Sequence, residues 1–177
     1  AGSTPLGSGS PGYLAMFQDA GTLVDSAVYQ VGTSLGVNTR APDATFHVVA
    51  SASPGAYLDV YSDELGALPF VYRAARGTPL APASVQAGDL LGGLAVRGFG
   101  GTTFSGGRGQ RMFRAAENWT DEANGTFLQI TTTPLGSAAW VERIRVDPAG
   151  NVGIGTPAPA HKLSVAGTVE STTGGFR

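Results

Sequence analysis

Four polar or aromatic residues lie within a stretch of seven, in a combination suited to binding a sugar. The stretch contains the indole ring of Trp119, the amides of Asn118 and Asn124, and the carboxylate of Asp121. An aromatic face stacks on the apolar face of a sugar ring, while amides and carboxylates hydrogen-bond to its hydroxyl groups. We therefore predict that this stretch binds a ligand. The alternative is that Trp119 packs on a sheet or at a subunit interface.

Carboxylates that could hydrolyse a polysaccharide occur in two loose groups. The members are Asp59, Asp63 and Glu64 in the first group, and Glu117, Asp121 and Glu122 in the second. A glycoside hydrolase holds two carboxyl groups roughly 5–9.5 Å apart across the bond that it cleaves. Neither group is accompanied by a further catalytic motif. We therefore expect no catalytic residues and no enzyme activity, with a polysaccharide depolymerase as a minor alternative.

The remaining chemistry-bearing residues argue against metal, cofactor and nucleic-acid binding. The only histidines are His47 and His161, and no other ligand lies at a suitable spacing. Arg108, Arg111 and Arg114 do not form one basic stripe, because alternate residues of a strand point to opposite faces. The formal net charge is −2, which gives no electrostatic attraction to nucleic acid. We predict no metal, no cofactor and no nucleic-acid partner, and we expect these arginines to pair with carboxylates of other subunits.

The composition favours strands and turns over helices. Glycine accounts for 27 of 177 residues and charged residues for only 14%, and the glycines follow no collagen period. Cysteine is absent. No apolar run approaches the ~20 residues that a transmembrane helix needs, so we expect no membrane insertion. These features indicate an all-β fold.

An internal repeat brackets the middle of the chain. Residues 35–50 and 152–167 match without a gap at a constant offset of 117, which pairs Leu35 with Val152 and Val48 with Val165. Each copy predicts two short strands in which apolar residues alternate with small or polar ones, separated by a proline-containing corner. Such a short segment cannot bury its own apolar face. Identical segments of other chains are the simplest partners, and two similar hairpins in one monomer are the alternative.

Turn residues and alternation predict further strands around the repeat. The predicted strands outside the repeat copies are Tyr13–Gln18, Thr22–Val31, Ala56–Tyr61, Leu68–Arg73, Leu90–Phe99, Gln110–Ala116, Thr126–Thr132 and Ala139–Val146. Hairpin turns are predicted at Val31–Ser34 and Val146–Asn151, and a short 3₁₀ or helical turn at Ser84–Asp89. The spacing of the central strands is typical of a β-sandwich.

Several motifs resemble those of bacteriophage tail fibres and of related bacterial surface fibre proteins. The stretches that carry the resemblance are Thr22–Ala27, Leu35–Thr39, Val71–Thr78, Gln86–Gly93, Arg114–Thr120 and Arg145–Thr156. The Gly150–Thr156 sequence, Gly-Asn-Val-Gly-Ile-Gly-Thr, is fairly specific to such fibres. The resemblance implies an elongated, intertwined parallel homotrimer. In such fibres an endosialidase-type intramolecular chaperone domain often follows, and we expect this sequence, which stops at Arg177, to lack it.

Together, the residues and the resemblance predict an all-β, elongated, intertwined homotrimer. In it, repeat segments that resemble a triple β-helix or a prism flank a β-sandwich-like module. The predicted segments are a linker at 1–12, an N-terminal repeat segment at 13–50, the module at 51–146 and a C-terminal repeat segment at 147–177. The residues predicted to pack between the three chains are Leu35, Val37, Phe46, Val48, Val152, Ile154, Leu163, Val165 and Val169. We also predict that glycines facing away from them allow close approach of neighbouring chains.

Three functions remain open at this stage. The first is a structural component of a tail fibre on the virion, involved in attachment to a host-cell glycan or surface protein. The second is a glycan-binding adhesin module on a bacterial surface. The third is a depolymerase tailspike. A spacer would leave glycan arrays blank, a binding module would lose its ligand when Trp119 is changed, and a depolymerase would release reducing ends.

Overall fold

The structure, a computed structural model, describes residues 9–19, 22–50, 59, 61 and 70–174. The chain divides into two compact units, residues 1–65 and 66–177. The described residues contain strands, turns and bends but no helix. The strands are β1 Tyr13–Phe17, β2 Leu23–Val31, β3 Ser34–Val37, β4 Phe46–Val48, β5 Arg76–Thr78, β6 Ala81–Ala83, β7 Leu90–Val96, β8 Gly109–Ala115, β9 Thr126–Thr132, β10 Val141–Val146, β11 Val152–Ile154 and β12 Leu163–Val165. The all-β prediction is confirmed for these residues.

The first unit contains one four-stranded sheet in the order β1-β2-β3-β4. Strands β2 and β3 form an antiparallel hairpin that closes at Val31–Ser34, as predicted. Gly32 of this turn has φ +56°, a left-handed conformation that glycine adopts at little cost. Strand β4 pairs with β3 in parallel. The chain therefore crosses over between β3 and β4 instead of turning back on itself.

The second unit contains a six-stranded sheet in the order β12-β11-β10-β9-β8-β7 and a separate hairpin of β5 and β6. Neighbours from β7 to β11 are antiparallel, and β11 and β12 are parallel. The turn between β10 and β11 has the predicted chemistry, since Gly150 has φ +73° and its N–H donates to the Asp147 carbonyl at 3.0 Å. The C-terminal repeat copy is thus the edge of the larger sheet.

The internal repeat is confirmed by strand pairing. Leu35 pairs with Phe46 in parallel, and Val152 pairs with Leu163 in the same way 117 residues later. The eight-residue linkers 38–45 and 155–162, here called the arches, are short for a parallel connection. The hairpin alternative for each two-strand copy is wrong, because the two strands of a copy run in the same direction.

The six-stranded sheet presents two chemically different faces. One face carries a cross-strand row formed by Leu94, Arg111, Ile130, Ile144, Ile154 and Val165, and an adjacent row formed by Phe113, Leu128, Val146, Val152 and Leu163. The opposite face carries the row Gly93, Met112, Gln129, Arg145, Gly153 and Ser164. We call these the apolar face and the polar face. Burial is greatest on the polar face, where Met112, Gln129 and Thr131 are buried.

The β-sandwich prediction is wrong for the described residues. Contacts between strands occur there only between hydrogen-bonded neighbours, so no second sheet packs against either face of the six-stranded sheet. Strand spacing predicted the number of strands but not which strands pair, because the strands of a sandwich and of a single sheet have the same alternation of apolar and polar residues. The four predicted segments stay a prediction, although the sheet runs through the proposed boundary at 146/147.

Some predictions for single segments are confirmed and others are wrong. Thr126–Thr132 has the predicted bounds of β9, whereas Ser84–Asp89 contains a β-turn, with the Asp89 N–H bonded to the Gln86 carbonyl at 3.0 Å, instead of a helical turn. Residues 70–73 form no strand, and the hairpin of β5 and β6 was missed. Most of Ala56–Tyr61, positions 68 and 69, and residues 1–8 of the predicted linker lie outside the described residues.

Candidate functional site

The predicted ligand-binding stretch forms a loop between β8 and β9 that is closed by its own polar groups. The indole N–H of Trp119 donates to the carbonyl of Gly125 at 3.1 Å. The side-chain amide of Asn124 donates to the carbonyl of Thr120, also at 3.1 Å. Because a half-buried indole N–H normally needs a partner, these bonds explain why the loop contains both residues. The polar atoms needed for a ligand are thus partly used to hold the loop.

Asn118 and Asp121 differ in what they offer to a ligand. The Asn118 side-chain oxygen accepts a hydrogen bond from the Ala87 N–H at 3.0 Å and so joins the loop to the neighbouring turn. Asp121 is exposed and has no hydrogen-bonded or charged partner among the described residues. A cavity of about 190 Å³ lies beside this loop and is lined by Ala74, Ala83, Ser84, Val85, Trp119, Thr120 and Asp121. The four predicted residues lie in one loop, and their ligand binding stays a prediction.

Each arch folds back over the glycine of the preceding strand. A Cβ atom added to Gly36 or Gly153 would lie less than 3.0 Å from the carbonyl oxygen of Thr39 or Thr156. The close approach that we expected between chains is therefore made within the chain. Two residues after these glycines, the equivalent residues Asn38 and Gly155 both have positive φ, 56° and 71°. The repeat conserves a backbone shape, with asparagine replacing glycine where a left-handed residue is required.

A groove lies beside the arch in the first unit. Its cavity of about 320 Å³ is lined by Tyr13, Ser26, Ala27, Tyr29, Asn38, Thr39 and Arg40. The Arg40 guanidinium lies 5.1 Å from the centre of the Tyr13 ring and donates to the Tyr13 hydroxyl. Tyr13 contacts Tyr29 edge to face, with 5.0 Å between ring centres. Sequence analysis missed this groove, because Tyr13 and Arg40 are brought together only when β1 and β3 both pair with β2.

The second unit has a groove at the corresponding arch. Its cavity of about 460 Å³ is lined by Ala116, Phe127, Arg145, Asp147, Pro148, Pro157, Ala158 and Pro159. The Arg145 guanidinium lies 4.2 Å from the centre of the Phe127 ring. Beside each arch, therefore, an arginine lies over an aromatic ring. The arginine comes from the arch in the first unit and from β10 in the second.

Polar side chains on the polar face form one connected network. Arg114 donates to Gln129 at 3.1 Å, and Gln129 donates to Glu142. Glu142 also accepts two hydrogen bonds from Arg145, at 2.6 and 2.8 Å. These Arg145 contacts are the main reason that the pKa of Glu142 is lowered, with a smaller contribution from Gln129. Arg145 is neutralised within its own chain. Arg114, one of the arginines predicted to pair between subunits, has no carboxylate partner in this network, and that pairing stays a prediction.

Eight of the nine residues predicted to pack between chains lie on the apolar side of the two parallel strand pairs. In the first unit Leu35 and Val37 stand beside Phe46 and Val48, of which Phe46 is 63% exposed. The second unit places Val152, Ile154, Leu163 and Val165 in the same arrangement, and Leu163 is 58% exposed. Val169 follows β12 and is half exposed. Their role in packing stays a prediction, but these residues share faces that no strand of the described residues covers.

Each histidine takes part in a local hydrogen bond. The ring Nδ1 of His47 accepts a hydrogen bond from the Asp43 N–H at 3.1 Å, while the backbone N–H of His161 donates to the Ser164 hydroxyl at 3.1 Å. The described residues contain no cluster of three or more metal-ligating side chains. They also include no helix of a length and apolarity that would cross a membrane.

One of the two acidic groups lies in the Trp119 loop, and the other lies only in part among the described residues. Glu117 accepts the Gly125 N–H at 2.6 Å and so belongs to the Trp119 loop. In the other group, Asp63 and Glu64 lie outside the described residues.

Solved structures with the same fold include one phage protein in two forms. The carboxy-terminal domain of the bacteriophage T5 L-shaped tail fibre matches with a TM-score of 0.53 at 18% identity, over 75% of this chain and 50% of that chain. The T5 domain with its intramolecular chaperone domain matches with the same score and identity, over 75% of this chain and 35% of that chain. The chain has the fold of a phage tail-fibre domain. No protein-family model and no curated protein matches it.

The tail-fibre fold confirms the resemblance that the repeat motifs indicated. The match spans half or less of the T5 chains. At this level of identity the likeness establishes the fold alone. What this tail-fibre fold binds has to be inferred from its own surfaces.

Proposed function

We propose that the chain is a structural component of an extracellular, homotrimeric phage tail fibre and takes part in host-cell attachment. The observation that carries the proposal is the apolar face of the six-stranded sheet, on a chain with a tail-fibre fold. Apolar rows of this length are unfavourable in water, and covering them stabilises an assembly by about 25 cal/mol per Å². A threefold arrangement of identical faces would cover all of them at once.

The first unit supports the same proposal independently. Its parallel pair presents Leu35, Val37, Phe46 and Val48 on one face, as the second unit does with the equivalent residues. Two apolar segments far apart in sequence would each contact their counterparts in the other chains. The resulting fibre would be intertwined and stiff, because every chain is held at both repeat copies. The proposed location is the virion tail fibre.

The proposed fibre is not an enzyme and needs no cofactor. Its partner on the host is a cell-surface glycan or a surface protein, and it neither inserts into a membrane nor binds nucleic acid. The same fold and apolar faces would serve a glycan-binding adhesin on a bacterial surface. A virion preparation probed with antibody against this chain distinguishes the two, because only a fibre protein copurifies with phage particles.

The assembly is tested by native mass and by electrophoresis in detergent with and without boiling. We expect a trimeric mass and a band that resists detergent until it is boiled. Ile154→Asp should abolish the trimer, because it would place a charge without a partner among buried apolar side chains. A trimer that persisted unchanged in this variant would contradict the packing model.

Leu80→Asp is the matched control for Ile154→Asp. It makes the same kind of change at a side chain that is 99% exposed in the turn between β5 and β6. We expect this variant to keep the wild-type mass and detergent resistance. If both variants lost the trimer, the loss would reflect added negative charge in general, and the apolar face would not be the cause. A wild-type chain that is monomeric at all concentrations would overturn the proposal itself.

A further inference from the structure

The two ends of the six-stranded sheet carry opposite charge. The loops before β7, between β8 and β9, and between β10 and β11 lie at one end, here called the acidic end, and contain Asp89, Glu117, Asp121, Glu122 and Asp147. Three cations reach this end, since Arg76 pairs with Asp89 at 2.7 Å, Arg114 donates to the Gly88 carbonyl at 2.8 Å, and Lys162 donates to the Ala149 carbonyl at 2.6 Å. The acidic end therefore remains negative overall.

The two connecting loops at the opposite end contain no acidic residue. This end consists of loop 97–108 between β7 and β8, loop 133–140 between β9 and β10, and Arg143 near the start of β10, and we call it the basic end. Of the carboxylates nearby, Glu142 at the start of β10 is paired with Arg145, and Glu170 follows β12.

Residues 90–116 contain four arginines and no acidic residue, and two of these arginines, Arg97 and Arg108, lie in loop 97–108 at this end. Three of these arginines were predicted above not to form a basic stripe. That prediction did not use the absence of Asp and Glu from the same stretch of sequence.

Hydrogen bonds join the two loops of the basic end into one surface. The Arg108 guanidinium donates to the carbonyl of Ala138, and the Thr133 hydroxyl donates to the carbonyl of Arg108 at 2.9 Å. Arg143 donates to the Thr132 hydroxyl at 2.9 Å. None of these bonds uses a carboxylate. Arg97 is exposed and has no hydrogen-bonded or charged partner among the described residues.

The same surface exposes aromatic rings. Phe99 and Phe104 pack edge to face across loop 97–108 with 5.4 Å between ring centres, and they are 60% and 65% exposed. Trp140 of loop 133–140 is 44% exposed. A single exposed apolar side chain is ordinary, whereas several exposed rings on one surface are a feature of binding sites. Here they stand among arginines whose charges are not neutralised.

We propose that the basic end binds an acidic polysaccharide whose sugars carry carboxylates. The arginines would pair with the carboxylates in forked hydrogen bonds, and the phenylalanine pair and Trp140 would pack on the sugar rings. Charge complementarity argues for this occupant, since an acidic polymer offers the carboxylates that the surface lacks. This inference rests on the proposed attachment role and gives the chemical class of its ligand.

The site differs from the Trp119 loop predicted from the sequence. The Trp119 loop lies at the acidic end, beside Glu117, Asp121 and Glu122, which would repel an acidic sugar. A second copy docking its acidic end onto the basic end is the competing occupant. The two differ in outcome, because end-to-end docking would need no sugar and would depend on protein concentration.

The test uses three polymers and the full chain in calorimetric titrations. The probes are polygalacturonate, its fully methyl-esterified form and polyglutamate. We expect polygalacturonate to bind, with an affinity that falls as salt is added. The neutral ester should bind at least about tenfold more weakly because the carboxylates are lost, and polyglutamate about tenfold more weakly because it has no sugar rings. Equal binding of polygalacturonate and polyglutamate would reduce the site to a polyanion surface and overturn the proposal.

Two variants locate the site. Arg97→Gln should weaken polygalacturonate binding about tenfold through the loss of a charge-assisted hydrogen bond, and Phe104→Ala should weaken it by a similar factor. Lys162→Gln at the acidic end makes the same change in net charge and should bind as the wild type does. Equal losses in Arg97→Gln and Lys162→Gln would overturn the assignment to the basic end.

Native mass, measured on the same samples, separates this inference from the fibre proposal. A wild-type trimer that binds none of the polymers overturns the ligand and leaves the fibre standing. A monomer that binds polygalacturonate in the predicted manner overturns the fibre instead. Salt-sensitive growth of the mass with concentration, lost in both Arg97→Gln and Asp121→Asn, would identify end-to-end docking and overturn the sugar ligand.

Discussion

Asp89 and Glu142 each accept a forked pair of hydrogen bonds from an arginine. Arg76 donates to Asp89 with two bonds of 2.7 Å, and Arg145 donates to Glu142 at 2.6 and 2.8 Å. A planar guanidinium matches the geometry of a carboxylate, so such pairs position both side chains. These two arginines are therefore structural. In contrast, Arg97 at the basic end has the free donors that a ligand requires.

Acid should weaken the contribution of Asp89 to stability. The Arg76 side chain first, and the Gln86 N–H second, lower the pKa of Asp89 from 3.8 to about 2. Since the folded-state pKa is the lower one, this contribution is fully present above about pH 4 and is lost as the pH falls towards 2. We expect Asp89→Asn to lower the urea midpoint at pH 7, and the difference from wild type to shrink towards pH 2. A difference that grew on acidification would contradict the assignment.

The Trp119 loop can be tested by separating its ring from its N–H. If the loop contacts a sugar, Trp119→Ala should remove the glycan-array signal, while Trp119→Phe should keep it because an aromatic face remains. Both variants lose the bond to Gly125 and should be destabilised by about 1 kcal/mol or more. An array signal unchanged in Trp119→Ala would assign the ring to loop packing alone.

At the scale of elements, the repeat is best understood as a strand, an arch and a second parallel strand. The arch brings a threonine carbonyl onto the glycine of the first strand, and this close approach explains Gly36 and Gly153. The flanking apolar residues point to the other face, so the arch and the apolar face do not compete for the same space. Each repeat copy can therefore vary its groove while keeping its apolar face.

Gly153→Ala should destabilise the protein, because the added Cβ would force Thr156 away from the strand. We expect a loss of about 1–3 kcal/mol, the usual range for overpacking, measured by urea unfolding. Gly106→Ala is the control, since Gly106 has nothing within 4 Å of the added atom and no positive φ. It should change stability by less than about 0.5 kcal/mol. Equal effects of the two substitutions would exclude the arch contact as the reason for this glycine.

At the scale of the whole molecule, both repeat copies should contribute to assembly. Val37 in the first unit occupies the position equivalent to Ile154, and each pairs with a valine of its parallel partner strand. We expect Val37→Asp to lower the temperature at which the trimer dissociates in detergent, with Leu80→Asp again as the control. A variant that dissociated at the wild-type temperature would restrict the trimer contacts to the second unit.

The repeat, its turns and most strands of the second unit were predictable because their signals are local. Pro157 and Pro159, the turn residues at 147–150 and the alternation in Thr126–Thr132 each act on their own backbone. The hairpin of β5 and β6 was missed because Arg76–Thr78 has no apolar alternation, and Pro82 lies in its second strand. The sandwich prediction failed because strand spacing does not specify which strands pair.

The sequence by itself determined that the protein is rich in strands, that it contains one motif twice and that it resembles tail fibres. These properties follow from residue types at fixed short spacings, which constrain the backbone locally. Only the tertiary structure decided that the repeat strands pair in parallel, that apolar and polar rows occupy opposite faces, and that Arg97, Phe104 and Trp140 lie at one end. Those properties depend on register between distant segments, because the pairing of strands alone brings residues 97–108 and 133–140 together.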